Sequence, residues 1–156
     1  MIYIKNTQTN EIAMFEVDNY LQLSKNIREQ YIQLTTIELK SYKFKKLKEA
    51  KILEAKAKRE KKLSNFVVDE GIIEAKNRAE TVLILEGYKK MLDQNINLAE
   101  YGLKDGKLIK LTKIIIDRWL LTINTQYNQA WIDYRAIKNK IDNAKTISTL
   151  NKIIIK

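Results

Sequence analysis

The sequence predicts a helix-dominated α+β protein. The expected parts are a small N-terminal β-hairpin, a long basic helix, and a C-terminal domain of short hairpins with a long capped helix and a short final helix. Three observations predict this. Helix-start signals at Leu34–Leu39 and at Thr112 each open a long stretch free of Gly and Pro. Short β-branched and aromatic runs, separated by turn residues, recur between the helices. Apolar residues at alternating four and three spacing run from Ile116 to Ile141. The expected divisions are 1–34 (hairpin and connection), 35–64 (lysine-rich helix) and 65–156 (C-terminal α+β domain).

Residues 2–5 (Ile-Tyr-Ile-Lys) and 12–17 (Ile-Ala-Met-Phe-Glu-Val) have the β-branched and aromatic content of strands. Asn6-Thr7-Gln8-Thr9-Asn10 between them is turn chemistry. An isolated hairpin is marginal in water, so this one must pack on something. Thr35 then caps a helix, Glu38 closes a capping box, and Leu34 can staple against Leu39. The helix runs to about Leu63. Its expected apolar stripe is thin (Leu39, Tyr42, Ala50, Leu53 and Ala57), and Glu54 with Lys58 forms a favourable pair four residues apart.

Phe66-Val67-Val68 and Ile72-Ile73 flank Asp69-Glu70-Gly71, which predicts a second hairpin. A helix over 77–93 follows, with Ala79, Val82, Leu83, Leu85, Tyr88, Met91 and Leu92 as its apolar positions and Gly87 weakening it. Tyr101–Leu103 and Leu108–Leu111 enclose Lys104-Asp105-Gly106, the strongest short hairpin signal in the chain. Thr112 caps the longest helix. Its seam is Ile116, Leu120, Ile123, Tyr127, Ala130, Tyr134, Ile137 and Ile141, flanked by Trp119 and Trp131. Self-association would favour Ile, Val and Leu at such positions. Large rings beside a small alanine suit packing inside the chain, against the helix over 77–93 and the small sheet. Asn143 or Thr146 ends this helix, and a last one points Ile147, Leu150, Ile153 and Ile154 inward.

Composition narrows the chemistry. The chain has no cysteine, which excludes disulfides and thiolate nucleophiles, and no histidine, the commonest general base and metal ligand. Four glycines form no phosphate-binding loop, and Ser41 and Ser64 form no Ser-x-x-Lys pair. Asp69, Glu70 and Asp105 lie in predicted turns, where acids are common for ordinary reasons. The expectation is a protein that is not an enzyme and holds no cofactor or metal. The stretch MIYIKNTQTNEIAMF has no apolar signal core, and no segment reaches the roughly 18 apolar residues of a membrane span. No membrane partner is expected.

Net charge is +10, and it is concentrated. Between Lys40 and Lys62 stand eleven basic and three acidic residues. Lys45, Lys46, Lys48, Lys51, Lys58, Arg59 and Lys62 are the candidate partner-binding residues, with Tyr42 and Phe44 among them for stacking. Lysine outnumbers arginine 24 to 5, and Lys, Ile and Asn together make 60 residues, the bias of an AT-rich genome. A solvated basic face and a non-specific, salt-dependent nucleic-acid contact are the two readings of this helix.

Asp105-Gly106, Leu108 to Thr112, and the long helix with Ile137, Ile141, Ala144, Thr146 and Leu150 together resemble an uncharacterised domain common in phage and prophage proteins. That domain is associated with tail fibres and tail-fibre assembly. Lys56 to Arg59 followed by Phe66 is similar to its helix-to-hairpin entry, and Trp131-Ile132-Asp133-Tyr134-Arg135 to a Trp-x-x-Tyr-Arg element of such chaperones. The resemblance begins near residue 30; around the first family hairpin only Asp69 and Gly71 match. It carries no catalytic residues. It implies a non-enzymatic viral protein in the cytoplasm of a bacterial host or on the virion. Such a protein would act by protein–protein contact as a tail-fibre accessory or assembly chaperone. The alternative is a phage-encoded inhibitor of a host defence nucleoprotein, of the anti-CRISPR type, using the basic helix. The oligomeric state stays open.

Overall fold

The structure is a computed structural model that describes residues 1–75, 77–98 and 100–155. It is 58% helical, with strands confined to short antiparallel pairings, so the architecture is α+β and helix-dominated. The chain divides into two compact units, Met1–Glu49 and Ala50–Lys156. That division falls inside the lysine-rich helix.

In the first unit, strands β1 (Ile2–Asn6) and β2 (Ile12–Phe15) form the expected hairpin, paired Ile2 to Phe15 through Lys5 to Ile12. The Asn6 carboxamide oxygen accepts the Gln8 and Thr9 amides at 2.8 and 2.9 Å, which fixes the turn. Strand β2 stops before the predicted Val17. Glu16, in extended conformation, precedes a short helix α1 (Val17–Leu21), followed by α2 (Lys25–Arg28) and a third strand β3 (Tyr31–Gln33). The sheet order is β2-β1-β3, all antiparallel. Strand β3 escaped prediction because it is three residues long and its partner β1 lies more than twenty residues upstream. Ile4, central in the sheet, is fully buried, and Leu34 is nearly so.

Helix α3 (Thr36–Leu63) opens on the predicted capping box. The Thr35 amide and hydroxyl both donate to the Glu38 carboxylate (2.9 and 2.8 Å), and the Glu38 amide returns to Thr35 Oγ1 at 3.3 Å. The expected apolar stripe needs correction. Ala50, Leu53 and Ala57 are exposed, whereas Ala55 and Arg59 are the buried residues.

In the second unit, β4 (Asn65–Val68) and β5 (Gly71–Glu74) pair as the second hairpin, and β6 (Tyr101–Gly102) and β7 (Leu108–Ile109) as the third. Gly106 at φ +82° closes the Asp-Gly turn. Gly71, at φ +152°, lies where an added Cβ would stand 2.9 Å from Leu103 Cδ1, so the two hairpins meet at a residue without a side chain.

Helix α4 (Arg78–Asp93) is capped by Asn77, whose side chain accepts the Glu80 amide at 2.8 Å. Thr81 and Leu85 are its buried residues, whereas the predicted apolar positions Ala79, Leu83 and Met91 face solvent. Helix α5 (Lys113–Asn143) is capped by Thr112. Its N-terminal half supplies Ile116, Trp119 and Ile123 to a core completed by Phe66, Val68, Ile73, Leu85, Leu103 and Leu111. The heptad seam is therefore buried within the chain along this half.

Thr146 opens helix α6 (Ile147–Asn151), its hydroxyl accepting the Thr149 amide at 3.1 Å. Because α6 ends at Asn151, helical spacing does not carry on to Ile154. Leu150 and Ile155 are buried, while the predicted inward residues Ile147 and Ile154 are exposed. Among the described residues no helix is long and apolar enough to cross a membrane.

Candidate protein-contact surface

The basic residues of α3 divide into two groups. From Ala50 onward, Lys51, Ala55, Lys58, Arg59 and Lys62 recur at three- and four-residue spacing and share one side of the helix. That side rests on the C-terminal half of α5 and on the segment after α6. Ala55 and Ala130 are both buried and line one narrow crevice with Ile137 and Ile155, which lets the backbones approach.

Arg59 is the centre of the contact. Its guanidinium lies 4.0 Å from the Trp131 ring centre and 4.5 Å from that of Tyr134, and it pairs with the Glu60 carboxylate. A flat, weakly hydrated cation suits this place, because it can stack on two rings while keeping an ionic partner at its edge. Trp131 and Tyr134 meet edge to face at 6.0 Å, so the slot is preformed.

The flanking lysines hold the end of the chain. Lys51 Nζ donates to the Ile153 carbonyl at 2.9 Å and Lys58 Nζ to the Ile155 carbonyl at 2.5 Å. These oxygens follow α6 and lie outside a helical ladder, so the ammonium groups satisfy acceptors that regular structure leaves open. Lys58 thus serves Ile155, where the sequence suggested Glu54. Lys62 Nζ lies 2.9 Å from Asp133. The Gln129 amide, and then Lys62, hold the Asp133 carboxyl below the ordinary carboxylate range. Lys51, Lys58, Arg59 and Lys62 are brought together by the fold, and they are occupied within it.

Lys45, Lys46 and Lys48 belong to the first unit. Lys46 pairs with Glu49 at 3.3 Å, Lys45 is exposed, and Lys48 is half-buried. Tyr42, a candidate stacking ring, stands 6.0 Å from Tyr3, and Phe44 is half-buried.

A polar hub that the sequence did not announce lies at the second hairpin. Glu70 accepts the Trp119 indole N–H at 2.6 Å and pairs with Arg118, whose Nε also lies 3.3 Å from Asp69. The predicted turn acid therefore satisfies the one polar atom of a fully buried tryptophan. The Gln126 side chain accepts the Val67 amide at 3.0 Å and donates to the Val67 carbonyl, covering the open edge of β4 as a strand would. The partners are separated by 48 to 59 residues, beyond the reach of any local pattern.

Among the described residues no group of acids is placed to hold a metal ion. No family model, no curated protein and no solved structure matches the chain.

Proposed function

We propose that this is a non-enzymatic protein that works by protein–protein contact, as a phage or prophage tail-fibre accessory or assembly chaperone in the bacterial cytoplasm. The observation that supports the contact reading is the commitment of Lys51, Lys58, Arg59 and Lys62 to the fold. A strand of RNA or DNA would have to displace these bonds before it met those four cations. Apolar side chains on both units remain open: Met14, Val17, Leu21, Ile27 and Ile32 on the first and Leu83, Ile114, Leu121 and Ile132 on the second are exposed. The tail-fibre assignment rests on the resemblance of the hairpin–helix region alone.

The test is co-purification with the fibre protein encoded beside it, together with a titration of single-stranded DNA at low and physiological salt. Co-purification with weak, salt-labile DNA binding supports the reading. Absence of a fibre complex, with tight capture of an RNA-guided nuclease instead, would transfer the chain to the inhibitor class.

A further inference from the structure

We propose that the trough between the C-terminal half of helix α5 and the segment after α6 takes an acidic amphipathic helix of a partner protein. This rests on the protein-contact reading and names the surface and the partner's chemistry.

The trough has a volume of about 850 Å3 and lies wholly within the second unit. On one wall Asp133, Ala136, Ile137, Lys140 and Ala144 recur at three- and four-residue spacing, so they form one stripe along α5. At about 1.5 Å per residue that stripe is about 16 Å long, the length of three helical turns. Ile153 and Ile154 stand on the other wall. Ile137 and Ile153 are half-buried, while Ala136 and Ile154 are exposed. The floor is therefore apolar and open, with small residues where a second helix can approach closely.

The charge of the lining does not balance. Lys62, Lys140 and Lys152 face the single carboxylate of Asp133. That carboxylate is already committed, since Lys62 lies 2.9 Å away and the Gln129 amide donates to it at 2.7 Å. Lys140 and Lys152 are exposed and have no ion-pair or hydrogen-bond partner among the described residues. Two unpaired ammonium groups thus stand beside an apolar floor. The complement is an apolar stripe flanked by carboxylates.

Backbone chemistry selects a helix. An extended peptide gains affinity from main-chain bonds to a strand edge, and among the described residues no strand lines the trough. The carbonyls of Ile153 and Ile155 are taken by Lys51 and Lys58. A helix brings its own backbone bonds and needs only apolar contact and charge from the walls. A nucleic-acid strand would meet the lysines, but no aromatic ring among the described residues lines the trough for its bases to stack on. A second copy joined through the same surface would set Lys140 and Lys152 against their own counterparts.

The test uses the full chain, 15N-labelled, and two capped alanine-rich peptides about sixteen residues long, enough to be helical in water. Both carry a leucine stripe, flanked by Glu in one and by Lys in the other. The Glu helix is expected to shift the Ala136, Lys140 and Lys152 amides and to bind about tenfold tighter than the Lys helix. That ratio is the effect of two exposed ion pairs in one complex and two repulsions in the other, and added salt should narrow it. Lys140→Glu combined with Lys152→Glu should reverse the preference. Ala136→Arg fills the trough and should abolish binding of the Glu helix, whereas attraction by charge alone would gain from the added cation. Equal binding of the two helices, binding that Ala136→Arg leaves unchanged, or shifts confined to the first unit overturns the proposal. So does decanoate that binds the same amides more tightly than the Glu helix, which assigns the trough to a small amphiphile. A concentration-dependent dimer that Ala136→Arg dissolves also overturns it, in favour of self-association. A fibre complex that survives all three substitutions overturns the trough while the protein-contact reading stands. Binding of the Glu helix without any fibre complex keeps the trough and removes the tail-fibre assignment.

Discussion

The guanidinium of Arg59 stacks 4.0 Å from the centre of the Trp131 indole, and this pair joins the second half of helix α3 to helix α5. One charged residue in a lysine-rich stripe thus acts as a core residue. Its neighbours Lys51, Lys58 and Lys62 keep their stems along the same contact while their ammonium groups find acceptors at its rim.

Arg59→Ala should lower the unfolding free energy by about 2 to 3 kcal/mol, combining a desolvated cation–π contact with lost packing. Arg59→Lys should stay nearer the alanine variant than the wild type, because a compact ammonium cannot lie flat on two rings. Urea unfolding of the three proteins reads both effects. A lysine variant as stable as the wild type would show that charge, not stacking, holds the helix.

Glu70→Ala should cost about 1 to 3 kcal/mol, since it leaves the Trp119 N–H unpaired in a closed core. Glu70→Gln keeps an acceptor there and should cost less, although the Arg118 pair is lost. Tryptophan emission separates the two. The alanine variant should change the spectrum of a buried indole that has lost its partner, and an unchanged spectrum would mean that the bond contributes nothing.

Much of the fold was legible because its signals are local. The Thr35–Glu38 box, the Asn6–Asn10 turn, the Asp105-Gly106 turn and the Thr112 cap each depend on residues within a few positions of one another. The α5 seam was legible because its periodicity repeats. Strand β3 was not, being a short run whose identity comes from distant β1. The buried stripe of α3 does not follow apolarity. The buried face is built from Ala55 and an arginine, while Leu53 and Ala57 face water. The candidate partner-binding lysines were visible as charge, but their engagement depends on carbonyls about a hundred residues away.

Two glycines should respond to alanine with opposite signs. Gly71→Ala places a methyl group 2.9 Å from Leu103 at φ +152° and should destabilise by about 1 to 3 kcal/mol. Gly87→Ala fills an open helical position with no heavy atom within 4 Å and should stabilise by about 0.5 to 1 kcal/mol. Thermal melts of both variants test the assignment. Loss of stability at position 87 would mean that helix α4 is not continuous there.

Stability should fall on both limbs of the pH profile, for separable reasons. Glu38, Asp93 and Asp133 are held below their ordinary values, by hydrogen bonds from Thr35, Lys113 and Gln129 respectively. A depressed carboxyl contributes stability that is present above its unfolded value, near pH 4, and lost as the pH falls through the folded one. Lys89 and Lys138 are raised by hydrogen bonds to Asp117 and Asp142. Their contribution is complete below the unfolded value, near pH 10, and lost as the pH rises through the folded one. Asp133→Asn should therefore flatten the acid limb without moving the alkaline one, because it removes the carboxylate that meets Lys62 and Gln129. Lys89→Met should do the reverse. Urea midpoints across both limbs decide it, and an unaltered acid slope in Asp133→Asn would show that the Lys62 pair does not help to hold α3 on α5.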